Sequence, residues 1–235
     1  MEPDRGPSAP SFLPDAFLGA AAATVLFLIL TVAAMLLYPG GRVGERTSVG
    51  YSFFTNFFSD LGQTQTHSGA SNTTSLVLFC MALVAIAFGL PLFFATYSRM
   101  LGGLTRFPWT TQLAVVCAVV TAISFLGVAA TPWNLYLRAH NDFVTWAFRS
   151  LLLAIALAFV GSLVAPNLPR RFAFIFGAFG IVLVAYVLLI AIGPSPATAQ
   201  GAAIQASGQK IIVYASVITV LVQSLAGRAF IRSGR

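Results

Sequence analysis

The sequence contains few charged residues, and this scarcity excludes most classes of protein. Only 8% of its 235 residues are Asp, Glu, Lys or Arg, whereas 58% are hydrophobic. An average soluble domain is about 25% charged, so water could not solvate the surface of a folded monomer with this composition. Intrinsic disorder is excluded as well, because so much apolar surface cannot stay unburied. A polytopic membrane protein is the class that remains.

Cysteine and the motifs of common chemistry are scarce too. The two Cys, Cys80 and Cys117, lie inside apolar stretches, which excludes a disulfide scaffold. The chain has no phosphate-binding glycine loop, no dinucleotide-binding loop and no nucleophilic serine elbow. Its two His residues do not have the spacing of metal ligands or of a haem site. We therefore predict no metal and no cofactor.

Six long apolar stretches dominate the chain. A spanning helix needs about 20 apolar residues, and the stretches are continuous rather than alternating, which excludes a transmembrane β-barrel. They cover residues 16–38, 73–97, 112–131, 143–165, 173–193 and 209–227. The sequence predicts an all-α bundle of six transmembrane helices over residues 16–227. We expect a disordered tail over 1–15 and a basic cytoplasmic tail over 228–235.

The distribution of basic residues predicts the orientation. Eight would lie on the side of the termini: Arg5, Arg99, Arg106, Arg170, Arg171, Arg228, Arg232 and Arg235. Four would lie on the other side: Arg42, Arg46, Arg138 and Lys210. Basic residues resist translocation, so we expect both termini in the cytoplasm. The net charge of +7 then follows from topology and implies no nucleic-acid partner. The preference for Arg over Lys, with abundant Ala and Gly, suggests a bacterial inner membrane.

Residues 48–62, SVGYSFFTNFFSDLG, follow the first span. Apolar side chains at positions 51, 54, 57, 58 and 61 have helical spacing, and polar side chains form the opposite stripe. The segment is too short and too polar to cross a membrane. We predict an amphipathic helix that lies in the outer interface between spans one and two.

Polar side chains concentrate on the predicted outer side. The segment after span one and the turn before span four supply most of them, and one arginine lies inside span four: Asn56, Ser59, Asp60, Arg138, His140, Asp142 and Arg149. We expect these seven residues to form a binding site. Asp60 and His140 are the candidates for a catalytic acid and base, because carboxylates and imidazoles are common proton-transfer groups.

Arg149 needs a partner inside a membrane. An arginine within a span costs about 2.5–3.5 kcal/mol on insertion scales and usually faces the bundle, where an acid pairs with it. Asp60 and Asp142 are the carboxylates expected near its depth. Asp142 lies about 10 Å away along the same helix. We therefore expect an Arg149–Asp60 pair, with Asp142 as the alternative partner.

Several of these residues together resemble a known family. Ser59-Asp60-Leu61-Gly62 ends an aromatic-rich segment, Asn72 opens span two, and Pro132 and His140 precede span four. The pattern resembles a bacterial family of six-span proteins catalogued as domain of unknown function 998. That family is distantly similar to the FRAG/DRAM/SFK group of eukaryotic membrane proteins. The resemblance implies a function connected with lipid, because the eukaryotic group is associated with lipid remodelling and lipid organisation.

Three functions are compatible with the sequence. The first is a non-enzymatic protein that binds membrane lipid, or another membrane subunit, through the polar cluster near the outer leaflet. The second is a membrane-embedded enzyme that acts on a lipid headgroup or an acyl ester. The third is a small transporter, which the scarcity of charge within the spans disfavours. We rank the first highest because no complete catalytic constellation is present.

Overall fold

A computed structural model describes residues 11–234 of the chain. Its helices are α1 (Leu13–Leu36), α2 (Thr73–Leu101), α3 (Pro108–Ala130), α4 (Trp133–Leu163), α5 (Arg171–Ile192) and α6 (Ala199–Arg232). All six are long and apolar enough to cross a membrane. The prediction of an all-α bundle with six spans is confirmed, and the chain is a multi-pass membrane protein.

Every helix extends beyond the apolar stretch that predicts it, and α4 and α6 extend furthest. Helix α1 begins at Leu13 rather than at residue 16. The first ten residues of the predicted disordered tail lie outside the described residues. Helix α4 begins at Trp133, with non-helical backbone at Tyr136, and α6 begins at Ala199, where the Thr198 hydroxyl accepts the Gly201 amide. Helix α6 also continues to Arg232, through most of the predicted basic tail.

The six helices form a closed ring. Each packs against the helices before and after it in the chain, and α6 returns to pack against α1. Close approach requires small residues at the crossing of α1 and α2. A Cβ atom added at Gly89 would lie only 2.6 Å from the Cβ of Ala23. Small residues at such positions allow van der Waals packing, which drives helix association in a lipid environment.

One end of the ring is closed by the cap, our name for residues 37–72. Its strands β1 (Gly40–Arg42) and β2 (Glu45–Val49) form an antiparallel hairpin, and a 3₁₀ helix follows at Phe58–Gly62. Phe58 inserts its ring between the helices, 6.1 Å from the ring centre of Phe27 and 6.2 Å from that of Phe79. The cap is therefore packed into the bundle rather than laid on its surface.

The predicted interfacial helix over 48–62 is wrong. This segment contains the end of β2, a series of turns and the five-residue 3₁₀ helix. The polar stripe is the physical reason. Asn56 Oδ1 accepts the Ser52 amide and Asp60 Oδ2 accepts the Phe57 amide. Such side-chain bonds give backbone donors an alternative to the α-helical ladder and favour turns.

Candidate functional site

Asp60 is the buried centre of the cap. Its side chain is fully buried, and Oδ2 accepts hydrogen bonds of 2.9 Å from both the Phe57 amide and Asn56 Nδ2. Oδ1 accepts from Gln63 Nε2 at 3.2 Å and lies 3.5 Å from His67 Nε2. A buried carboxylate is tolerated only when such donors replace the water that it has lost.

Asn56 connects Asp60 to the hairpin. Its Nδ2 also donates to the carbonyl oxygen of Gly41 at 2.9 Å. Gly41 has a φ of 87°, and a Cβ atom there would collide with the backbone of Ser68. A residue without a side chain is therefore required where the hairpin crosses the loop after the 3₁₀ helix. Asn56 and Asp60 together join the hairpin, the turn at Ser52 and the 3₁₀ helix.

Lys210, the only lysine in the chain, brings α6 into this network. Its side chain is 2% exposed, and Nζ donates a hydrogen bond to the carbonyl oxygen of Asn56. Nζ also lies 5.0 Å from the ring centre of Tyr51, within the range of a cation–π interaction. The negative charge of Asp60 acts on the ammonium group without a direct ion pair. Asn56 therefore links the two buried groups: its carbonyl oxygen accepts from Lys210 Nζ, and its Nδ2 donates to Asp60.

Two tyrosines of the cap remain uncharged donors. Burial raises the pKa of the Tyr51 phenol well above its usual value, and the charge of Asp60 raises it further. The same two causes raise the pKa of Tyr38. Tyr51 donates to the carbonyl oxygen of Phe57 at 2.9 Å, and Tyr38 donates to that of Gly41 at 3.2 Å. Both phenols thus add donors that hold the backbone around Asp60.

Two adjoining cavities lie beneath the cap. The vestibule, about 540 Å³, opens between α4, α5 and α6, and its lining includes Ser59, Trp133, His140, Asn141, Gln205 and Gln209. The inner cavity, about 80 Å³, lies inside the ring, and its lining includes Phe79, Leu83, Ile86, Phe148, Val213 and Val217. Ser59, His140, Val144 and Gln209 line both cavities. The path from outside to inside therefore changes from partly polar to almost entirely apolar.

His140 lies where the two cavities meet. It is 4% exposed, and its Nδ1 lies 2.8 Å from the carbonyl oxygen of Thr131. A carbonyl oxygen only accepts hydrogen bonds, so Nδ1 carries a proton, and Nε2 of the neutral ring carries a lone pair. Among residues 11–234, Nε2 has no hydrogen-bond partner. The imidazole thus carries an unused acceptor, and the residue lines both cavities.

The seven predicted site residues divide into three groups. Asn56 and Asp60 form the buried network, and Ser59 and His140 line the cavities. Arg138, Asp142 and Arg149 are exposed and join neither group. Asp60 and His140 have no hydrogen bond to one another: Asp60 binds residues of the cap, and His140 binds Thr131. The structure therefore does not join the predicted acid and base.

The predicted ion pair of Arg149 is wrong. Within residues 11–234 no carboxylate lies within 4.0 Å of the Arg149 guanidinium; the acid–base contacts within that distance are Arg42–Glu45 and the contact of the His67 imidazole with Asp60. The rotation of α4 is the reason. Ser150 faces inward, where its hydroxyl bonds to Thr121 of α3 at 2.8 Å. Adjacent residues of a helix point about 100° apart, so Arg149 faces outward. Asp142, two turns before Arg149, lies on the same face of α4, and that face is the outer one.

Several residues of the site are not identified by the sequence analysis. They are Lys210, Gln209, His67 and Trp133, and three of the four come from elements distant in sequence from Asp60. Gln209 Oε1 accepts the Phe58 amide at 2.6 Å, and His67 packs on Trp133 with ring centres 5.4 Å apart. The one available signal is composition: Lys210 is the sole lysine, and it follows Ser207-Gly208-Gln209 at the start of an apolar span.

Comparisons with models of protein families, with curated proteins and with solved structures found no match. Within residues 11–234, no group of three or more His, Cys, Asp or Glu side chains could hold a metal ion. The described residues of the site supply hydrogen-bond donors and acceptors, apolar surface, the Asp60 carboxylate and the Lys210 amine.

Replacement of Asp60 and Lys210 tests the shared network. Asp60→Asn turns one acceptor into a donor and leaves Lys210 buried without its counter-charge, so we expect a loss of about 1–3 kcal/mol. Lys210→Met in the same chain should recover part of that loss. The measurement is a double-mutant cycle of unfolding free energies in detergent. Asp60→Asn with Arg149→Met is the control, and it should be additive within about 0.5 kcal/mol. Additivity of the Asp60 and Lys210 variants would refute the coupling.

Proposed function

We propose that the protein binds a single amphipathic lipid in the vestibule and inner cavity beneath the cap. The observation that carries this proposal is the gradient along the joined cavities. The outer part adds Asn141, Thr145 and Gln205 to the shared Ser59, His140 and Gln209, whereas the rest of the inner lining is aromatic and aliphatic except for Ser216. A polar head in the vestibule and a chain end among the apolar residues match this order.

The volume of the vestibule supports the same ligand class. Ligand pockets usually measure about 300–1,000 Å³, and the vestibule, about 540 Å³, lies in that range. The inner cavity, about 80 Å³, holds only a few methylene groups. The ligand would therefore keep its head and most of its chain in the vestibule and insert only the end of the chain into the ring.

We also propose that the protein resides in the cell membrane of a bacterium, with both termini in the cytoplasm and the cap on the outer side. The unequal numbers of basic residues on the two sides support this orientation. The short motifs around Asp60, Asn72 and His140 support membership of the family of domain of unknown function 998. That family assignment remains a prediction.

A second candidate function is association with another membrane subunit, and the exposure of Arg149 favours it. Ser150 bonds to Thr121, which lies nine residues from the cap-side end of α3. That separation is about 14 Å along the helix, so Arg149 lies deep in the membrane. The same outward face of α4 carries Trp146 and Leu153, which lie three residues before and four residues after Arg149. A partner helix with a carboxylate at this depth would neutralise the guanidinium and cover the apolar face.

Photolabelling tests lipid binding. The probes are a monoacylglycerol, a fatty acid, a lysophosphatidylcholine and an alkylamine that share one diazirine-bearing chain, each added to the protein in nanodiscs. Mass spectrometry should find at least one probe attached at Ile86 or Val217, inside the ring. Val144→Trp blocks the junction of the cavities and should lower this labelling about tenfold. Val119→Trp, on the outer face of α3, is the control and should not. Labelling confined to outward-facing residues for every probe would contradict the proposal.

Cysteine labelling tests the orientation. After replacement of Cys80 and Cys117, a single Cys is introduced at Gln65 in the cap or at Asn167 between α4 and α5, both of which are exposed. A membrane-impermeant maleimide added to intact cells should label position 65 and not position 167, because the cap faces outward in the proposed orientation. Labelling at position 167 and not at position 65 would show that the orientation is the opposite of the one proposed.

A model helix tests the subunit interface. Two Leu/Ala transmembrane peptides, one with a central Asp and one with Leu in its place, are mixed with the labelled protein in phosphatidylcholine vesicles. Energy transfer should show tighter association of the Asp peptide with the wild-type protein. Arg149→Met should abolish the difference, whereas Arg106→Met, outside the spans, should preserve it. Equal association of both peptides with the wild-type protein would eliminate this candidate function.

A further inference from the structure

The vestibule lacks charge, and this restricts the ligand that it can hold. Among the described residues that line it, none is Asp, Glu, Lys or Arg. The two nearby buried charges are already engaged, since Asp60 is bound within the cap and Lys210 is bound to the Asn56 carbonyl. A phosphate, carboxylate or ammonium head would lose its hydration without gaining a counter-charge, at a large cost in free energy.

Two buried polar atoms of the lining have no partner in residues 11–234. One is the acceptor His140 Nε2, and the other is the donor Trp133 Nε1. His140 is fixed by its bond to Thr131, and Trp133 is held against the ring of His67. An unsatisfied buried donor or acceptor destabilises the protein, so ligand groups that satisfy both atoms would recover that cost.

We propose that the vestibule selects an uncharged lipid with at least one free hydroxyl group. The hydroxyl hydrogen is donated to His140 Nε2, and an oxygen of the same head accepts from Trp133 Nε1. Ser59 and Gln209, which line both cavities, surround the first carbons below the head. This inference rests on the proposed lipid-binding function and adds to it the chemical class of the head.

The chain beneath such a head meets no polar obstacle. Of the polar side chains that line the inner cavity, Ser216 donates back to the carbonyl oxygens of Ile212 and Val213 at 2.8 Å each. Gln209 accepts the Phe58 amide. Ser216 and the Gln209 oxygen are satisfied within the protein, and apart from Ser59 and His140 the rest of the inner lining is apolar, so it offers the chain mainly apolar contact. Among the described residues that line the cavities, the buried polar atoms without a partner are His140 Nε2 and Trp133 Nε1.

The test compares heads that share one chain. The competitors are monopalmitoylglycerol, its dimethyl ether, palmitate, lysophosphatidylcholine and an alkylamine, each displacing the diazirine-bearing lipid that labels the wild-type protein most strongly. Monopalmitoylglycerol should compete best. The dimethyl ether retains acceptor oxygens but has no hydroxyl to donate to His140, so it should bind about tenfold more weakly. The charged lipids should be weaker still.

Two variants locate the contacts. His140→Phe should remove the difference between monopalmitoylglycerol and its dimethyl ether, because the acceptor is lost. Trp133→Phe should weaken both lipids by a similar factor, because both keep the oxygen that Trp133 would bind. If His140→Phe does not fold, the ratio of the affinities of the wild-type protein for the two lipids still tests whether a free hydroxyl is selected.

The outcomes separate the two proposals. If no lipid labels or competes, the lipid-binding function itself fails. If a charged lipid competes as well as monopalmitoylglycerol, or if the dimethyl ether binds as tightly, the protein binds lipid but the inferred head is wrong. Selection of the free hydroxyl that depends on His140 supports both proposals.

Discussion

The structure depends on the burial of one carboxylate. Asp60 has no access to water, so the cap must supply every donor that it needs, and it does so from Phe57, Asn56 and Gln63. Asn56 then connects the carboxylate to Gly41 of the hairpin, and its own carbonyl accepts from Lys210 of α6. Burial of a charge is costly unless it is paired and hydrogen-bonded, so this requirement fixes the cap against the ring.

The fixed cap determines where a ligand can enter. Phe58 and Ser59 lie directly before Asp60 and line the inner cavity, and the Phe58 amide also donates a hydrogen bond to Gln209 Oε1. Once the 3₁₀ helix is held in place, the vestibule between α4, α5 and α6 leads to His140 and from there into the ring. Asp60 and Lys210 are bound within the cap network, and no Asp, Glu, Lys or Arg of the described residues lines the vestibule. This separation is what makes an uncharged, hydroxyl-bearing lipid the ligand that we propose.

The sequence predicts the six spans because twenty or more consecutive apolar residues have few other uses in a folded protein. It also identifies Asn56, Ser59, Asp60 and His140 as members of the site. It fails where the answer depends on contacts between distant segments. The helical spacing of 48–62 is real, but Asn56 and Asp60 bind local backbone and produce turns instead. The rotation of α4, which turns Arg149 outward, is set by the Ser150–Thr121 contact, and Lys210 meets the cap only through the return of α6 to the ring.

The central claim is that Asp60 holds the cap over the cavities, and hydrogen exchange measures it most directly. Amide exchange of the protein in nanodiscs is compared for the wild type, Asp60→Asn and the control Asp142→Asn, which alters an exposed carboxylate. The account predicts that Asp60→Asn accelerates exchange at least about tenfold over residues 56–66, while the centres of α2 and α3 stay protected. Asp142→Asn should match the wild type. Equal protection of residues 56–66 in the Asp60→Asn variant and the wild type would contradict the account.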